Sequence, residues 1–215
     1  MFVQLWMHRE VITVAPDETI ANACRLMDEH RIRRIPVIDQ ENKLLGIISK
    51  EDLKKALPSA VDASLDEASR ALANQVKVDT FMTRTPITVE PIDTLEKVAA
   101  IMRKHKIGGI PVIDGNFLVG IITESDIFKA FVEILGGQNK DTRIELTIRH
   151  DNASIYKVFD VLATYDTTIN NIAICNTYSA KTKTMTLRIE SEQTQAIVDE
   201  LWKIGCKINS VIHEN

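Results

Sequence analysis

Long apolar runs are missing from this 215-residue chain. None approaches the roughly 20 residues that a helix needs to cross a bilayer, so no membrane span is expected. The first residues, Met1-Phe2-Val3-Gln4-Leu5-Trp6, carry no basic stretch ahead of an apolar core, so no secretory signal is read there. Cysteine is scarce. Cys24, Cys175 and Cys206 are scattered and odd in number, which argues against a disulfide framework and for a reduced, cytoplasmic protein. Cys175 and Cys206 have no CxxC partner, so thiol chemistry is not expected. Positive charge is not in excess. There are 26 Lys and Arg against 30 Asp and Glu, and the net charge of −4 argues against nonspecific nucleic-acid binding. A glycine-rich phosphate loop, a nucleophile beside a base and clustered carboxylates are all lacking, so no catalytic residue is assigned and no enzyme is expected.

What is present starts from an ordinary globular balance, 45% apolar and 26% charged, in a chain long enough for one large domain or two small ones. Its main feature is a stretch that occurs twice. Ile35-Pro36-Val37-Ile38-Asp39, a turn, and Gly46-Ile47-Ile48-Ser49-Lys50-Glu51-Asp52-Leu53 form the first copy. Ile110-Pro111-Val112-Ile113-Asp114, a turn, and Gly120-Ile121-Ile122-Thr123-Glu124-Ser125-Asp126-Ile127 form the second. A constant offset of 75 residues also links Met7 to Met82, Thr13 to Thr88, Pro16 to Pro91, Met27 to Met102 and His30 to His105. After the turn the offset falls to 74, a single deletion placed in a loop, and the pattern reads as internal duplication.

Each copy is expected to run β-α-β-β-α. Val11–Val14 reads as extended. A helix over 17–31 buries Ile20, Ala23, Cys24 and Met27 on one face, and Leu95, Val98, Ala99 and Met102 repeat it. Two short β-branched strands follow, then a helix opened by Ser49 or Thr123. Residues 58–75 form a partly helical connector, and Gly136-Gly137-Gln138-Asn139 mark a joint within a 136–140 linker. The tail, 141–215, has the order β-α-β-β-α-β, a ferredoxin-like arrangement, with Gly205 stopping its second helix.

Ser49 and Thr123 stand where a strand becomes a helix, with unpaired N–H groups at hand for a polar ligand. Asp52 and Asp126 lie in the first helical turn, where a carboxylate can accept hydrogen bonds from the two hydroxyls of a ribose. The same residues also fit capping boxes with no ligand role. Arg33 and Arg34 precede Ile35 and suit phosphate contact, a solvated turn or a partner subunit. Gly108 and Gly109 replace them in the second copy, where a roomier cleft is expected. His30 and His105 lack Cys, Asp or Glu at ligand spacing, so no metal site is assigned.

The pattern Ile-Pro-Val-Ile-Asp, a turn, then Gly-Ile-Ile-[Ser/Thr]-x-x-Asp resembles the cystathionine-β-synthase (CBS) domain, in tandem. The resemblance implies an α/β (α+β) fold: one CBS domain over 1–57 and another over 76–135, packed as a Bateman module with two clefts. It further implies adenosine ligands such as AMP, ADP, ATP or S-adenosylmethionine. Carried onto this chain, the nucleotide-binding residues are Thr13, Arg34, Ile35, Pro36, Ser49, Asp52, Thr88, Gly109, Ile110, Pro111, Thr123 and Asp126. The tail, by element order, resembles the ACT domain, though its first strand-to-helix loop, His150-Asp151-Asn152-Ala153, lacks the glycine usual in amino-acid binders. Together the parts resemble bacterial acetoin-utilisation CBS–ACT proteins. The expectation is a homodimeric, non-catalytic regulator that binds an adenine nucleotide and signals to an unidentified protein. A dimerisation scaffold with empty clefts and an ACT-mediated amino-acid sensor are the alternatives.

Overall fold

The computed structural model describes residues 1–56, 75–136, 141–176 and 179–213. Nearly all of the expected connector over 58–75, and all of the 136–140 linker after Gly136, lie outside the described residues. Packing divides the chain into two units, Met1–Phe128 and Lys129–Asn215.

The first unit holds α1 (Ile20–Glu29), β1 (Arg34–Ile38), β2 (Leu44–Ser49), α2 (Lys50–Ala56), α3 (Val78–Phe81), α4 (Leu95–His105), β3 (Gly109–Asp114), β4 (Phe117–Thr123) and the start of α5 (Glu124–Ile134). The Thr19 hydroxyl caps α1 by accepting the Asn22 N–H at 3.2 Å, and Thr94 caps α4 through Lys97 at 3.3 Å. The first helix therefore starts at Ile20, and Pro16 and Asp17 precede its cap. Ile20, Ala23 and Met27 are buried as expected, as are Leu95, Val98 and Met102. Both helices end in a left-handed residue, Arg31 and Lys106, each with φ of 54°. The Ile32 N–H then reaches back to the Met27 carbonyl at 2.9 Å and Ile107 to Met102 at 3.1 Å, as in a Schellman closure. His30 and His105 sit exposed at these ends, so their register follows from where the helices stop.

β1 pairs antiparallel with β2, and β3 with β4, each with one register shift at Val37/Ile38 or Val112/Ile113. The expected strand Val11–Val14 contributes a single parallel bridge, Val14 to Val37, matched by Val89 to Val112. Proline explains the shortness. Pro36 and Pro111 accept from Val14 and Val89 at 3.2 Å but have no N–H to extend a ladder.

The duplication is not folded as two self-contained copies. The lead of each copy crosses to the other. Val3 and Gln4 donate to the carbonyls of Asp93 and Pro91 at 2.9 and 3.0 Å, and Leu95 donates to Met1 at 2.9 Å. The reciprocal set is Val78 to Glu18 at 2.8 Å, Asp79 to Pro16 at 3.0 Å and Ile20 to Val76 at 2.9 Å. His8 pairs with Ile121 in both directions at 2.9 Å, and Thr83 pairs with Ile47 at 2.9 and 3.0 Å. The hairpin turns also meet: Leu44 donates to Asn116 and Leu118 to Asn42, both at 3.1 Å. Every partner in these pairs maps onto its counterpart by the sequence offset, so the unit has an internal pseudo-twofold relation.

The second unit contains the last turns of α5, then β5 (Thr142–Arg149), α6 (Asn152–Thr164), β6 (Thr168–Asn176), β7 (Thr182–Glu190), α7 (Thr194–Lys203) and β8 (Lys207–His213). The β-α-β-β-α-β order is as read. The strands form one antiparallel sheet in the order β6-β7-β5-β8, the split arrangement expected of this order. Ile144, Leu146, Ile148, Met185, Leu187 and Ile189 meet Val158, Leu162, Ile197 and Leu201 in its core. Arg188 and Asp141 form a buried ion pair at 2.8 Å, and Arg188 Nε donates to the Leu135 carbonyl at 2.9 Å. Asn171 donates to the carbonyl of Ile134. These bonds satisfy the last carbonyls of α5, so the helix end joins this unit instead of fraying at the glycines.

Close approach fixes two glycines. A Cβ on Gly120 would lie 2.7 Å from Met7 Sδ and 2.9 Å from the His8 carbonyl, and one on Gly46 would lie 2.7 Å from Met82 Sδ and 2.8 Å from the Thr83 carbonyl. The carbonyl belongs to the crossed lead and cannot yield without breaking its pairing. Gly46→Ala and Gly120→Ala are each expected to destabilise the fold by about 1–3 kcal/mol, measured by urea denaturation. Midpoints equal to wild type would show that the crossed leads are not held as described.

Candidate functional site

Backbone pairing gathers the expected residues into one patch per copy. In the first, register sets Arg34 opposite Ser49, and Lys50 N–H bonds the Arg33 carbonyl at 2.9 Å. Thr13 directly precedes Val14, which bridges β1 between Pro36 and Ile38. Thr13, Arg34, Ile35, Pro36, Ser49 and Asp52 are thereby neighbours. In the second copy Gly109 stands opposite Thr123, Glu124 N–H bonds Gly108 at 3.2 Å, and Val89 carries Thr88 alongside Pro111. Thr88, Gly109, Ile110, Pro111, Thr123 and Asp126 are neighbours in turn. Ile35 and Ile110 are fully buried and Pro36 and Pro111 buried. Thr13, Ser49, Asp52, Thr88 and Thr123 are half-buried and keep polar atoms near the surface.

Both capping boxes form. Asp52 Oδ2 accepts the Ser49 N–H at 3.0 Å and its hydroxyl at 2.6 Å, while Ser49 Oγ accepts the Asp52 N–H at 3.2 Å. Asp126 Oδ2 accepts the Thr123 N–H at 2.8 Å and hydroxyl at 2.7 Å, and Thr123 Oγ1 accepts the Asp126 N–H at 3.4 Å. Each box uses one carboxylate oxygen. The other oxygens differ. Asp52 Oδ1 has no hydrogen-bond partner among the described residues. Asp126 Oδ1 lies 2.9 Å from His8 Nε2. Sequence reasoning missed His8 because the crossing of the leads is not visible in the repeat. The signal available was the contrast of Met7-His8 with Met82-Thr83 at matched positions.

Charge around the patches is also uneven. The first copy has Arg33, Arg34 and Lys50. Lys50 pairs with Asp28 at 2.6 Å, and that hydrogen bond raises the Lys50 ammonium above its usual range. In the second copy the glycines do not face empty space. A Cβ on Gly108 would meet Glu124 at 2.8 Å and Arg34 Nη1 at 3.3 Å, and one on Gly109 would meet Arg34 Cδ at 3.4 Å. The glycines make room for the Arg34 side chain crossing from the first copy. No cluster of His, Cys, Asp or Glu suited to a metal occurs among the described residues. Two cavities, of about 260 and 400 Å³, lie elsewhere, one beside Arg149, Lys157 and Cys206 and the other beside Gln4, Met7 and Ile92.

The family model of the CBS domain matches residues 3–59 and 73–133, together more than half the chain. A CBS domain-containing protein of Dictyostelium discoideum is 29% identical over 136 residues, 63% of this chain and 94% of that protein. Inosine-5'-monophosphate dehydrogenase of Korarchaeum cryptofilum is 36% identical over 121 residues, 56% of this chain and 22% of the enzyme. The chain thus spans about a fifth of that enzyme's length. Among solved structures, a Vibrio cholerae protein designated for acetoin utilization, AcuB, is 34% identical with a TM-score of 0.55, covering 64% of this chain and 95% of that one. The CBS pair of MJ0100, solved with 5'-methylthioadenosine and S-adenosyl-L-methionine, is 30% identical with a TM-score of 0.52, covering 65% and 98%. CBSX2, solved with AMP, is 26% identical with a TM-score of 0.53, covering 62% and 97%.

The capping boxes carry a stability consequence of their own. Ser49→Ala and Thr123→Ala each remove a hydroxyl that both donates and accepts within the box. Each is expected to cost about 1 kcal/mol in chemical denaturation. A loss below a few tenths in both would mean that Asp52 and Asp126 do not depend on their caps.

Proposed function

The chain belongs to the CBS domain family, and from that premise we propose that it is a non-catalytic regulatory protein whose paired sites bind an adenosine ligand. The observation that carries this reading is the duplicated hydroxyl–carboxylate pair, Ser49/Asp52 and Thr123/Asp126. A carboxylate fixed by its own cap through one oxygen can offer the other to ribose hydroxyls, directly at Asp52 and on release of His8 at Asp126. The ligands of the related pairs support the choice. MJ0100 is solved with 5'-methylthioadenosine and S-adenosyl-L-methionine and CBSX2 with AMP, so adenosine is the shared part. Thr13 and Thr88, with the backbone at Ile35-Pro36 and Ile110-Pro111, border the base. Ser49 suits a phosphate group in the first site, and Arg34, whose side chain reaches Gly108 and Gly109, suits one in the second.

In this reading the signal leaves along α5. The helix starts at the Thr123/Asp126 cap, and its last carbonyls are held by Arg188 and Asn171. A ligand moves such an element to the extent that it prefers one of its arrangements. The tail acts as an ACT-like module and the whole protein as a homodimer, which the exposed Phe128, Phe131 and Ile134 on α5 favour. A role in acetoin utilisation follows from the likeness to AcuB.

A second reading, a tail that senses an amino acid, is favoured by the cavity of about 260 Å³ at the end of β5, lined by Arg149, Asp151, Ser154 and Lys157. Against it, Asp151 is committed to capping α6. It accepts the Ser154 N–H at 2.7 Å, which holds its carboxyl below the usual range.

Calorimetric titration with AMP and with S-adenosylmethionine tests the nucleotide reading. Asp52→Ala with Asp126→Ala is expected to lose about 1.5–3 kcal/mol of binding, roughly 10- to 150-fold in Kd. Unchanged affinity in the double variant would reject the ribose role. Light scattering is expected to give the mass of a dimer at micromolar concentration, and a monomer would refute that part of the reading.

A further inference from the structure

The two carboxylates sit in near-identical frames yet are not equally available. His8 and its counterpart Thr83 are held by the same two-way backbone pairing, His8 to Ile121 and Thr83 to Ile47. Their side chains differ. The imidazole of His8 places Nε2 at 2.9 Å from Asp126 Oδ1, while no hydrogen bond joins Thr83 to Asp52 among the described residues. The His8 side chain is 66% exposed and that of Asp126 is 8% exposed, so the ring lies over the carboxylate as a cover. Asp52, half-buried, has no such cover among the described residues.

We infer that His8 makes the second cleft the weaker of the two, by occupying the carboxylate oxygen that a ribose would need. The inference rests on the adenosine reading of these clefts. A ribose at Asp52 meets an Oδ1 that has no partner among the described residues. A ribose at Asp126 must first displace His8 Nε2, giving up one hydrogen bond to a charged acceptor before it gains its own. The clefts therefore fill in order, Asp52 first, and the chain answers two ranges of ligand concentration with one fold. The imidazole is on the surface and anchored by its backbone, so it can swing away without disturbing the His8–Ile121 pairing.

Calorimetry of the full chain with AMP, and separately with 5'-methylthioadenosine, decides the matter. Wild type is expected to show one tight site, lost in Asp52→Ala, and a second at least about tenfold weaker, lost in Asp126→Ala. His8→Thr, which gives the second copy the residue of the first, and His8→Ala are each expected to tighten the second site by about tenfold and leave the first unchanged. Thermal melts verify that both variants fold. Two equal sites in wild type, or second-site affinity unchanged or weakened in both His8 variants, would overturn the inference while leaving the nucleotide reading in place. No heat and no melting shift with either compound, in wild type and variants alike, would overturn the nucleotide reading and this inference with it.

Discussion

The crossing of the two leads is the constraint from which the first unit follows. Each copy has a hairpin of two strands and a helix whose N-terminal N–H groups need partners. A two-stranded hairpin is marginal by itself. Its open edge is covered by the other copy's lead, His8 on β4 and Thr83 on β2. The same leads accept the first helical N–H groups, Leu95 onto Met1 and Ile20 onto Val76. Neither copy closes its own sheet edge or caps its own helix completely, so the pair folds as one body. Gly46 and Gly120 are where this requirement reaches a single atom, since any Cβ there would strike the carbonyl of the lead.

Much of this was legible in the residues and part was not. The offset of 75 marked the repeat, and the spacing of Ile20, Ala23 and Met27 marked the buried helix face. The hydroxyl–x–x–acid pattern announced capping boxes that the structure forms with the expected partners. Local rules reach this far because caps and helix faces involve residues three or four apart. The exchange escaped because it pairs residues far apart in the chain, from 36 for Thr83 with Ile47 to 113 for His8 with Ile121, and a repeat reads the same whether its leads stay or cross. For that reason His8 looked like an isolated difference from Thr83. The glycines before Ile110 were read as space, and the space is taken by Arg34, a side chain from the other copy. Val11–Val14 read as a strand because the β-branched pattern does not register that its neighbour, Pro36, withholds an N–H.

The tail shows the same limit from the other side. Its element order was plain in the residues. Its most expensive feature was not. Arg188 sits within an alternating strand, where the pattern alone gives no reason for a buried charge. The reason lies in Asp141 and in the carbonyls of α5. Removing one partner of such a pair leaves an uncompensated buried charge, which typically costs about 3–5 kcal/mol. Replacing both by apolar residues of similar volume often costs little, so the pair is weak evidence for stability as such. Its value here is positional. Arg188 is planar and carries several fixed donors, so it can hold the Asp141 carboxylate and the Leu135 carbonyl together.

This bears on how a signal could travel. Gly136 and Gly137 mark a joint in the sequence. Gly136 is buried with φ of 68°, and the carbonyl of Leu135 before it is already bound to Arg188. Up to Gly136, then, the helix end is held. Both ends of α5 are held by buried charge, Asp126 at the cap and the Arg188–Asp141 pair at Leu135. They differ in what covers them: the Asp126 carboxylate lies under the exposed His8 ring. A response carried along α5 would have to move the bonded Leu135 carbonyl with the helix end. It is limited by the ligand's own preference between the two arrangements.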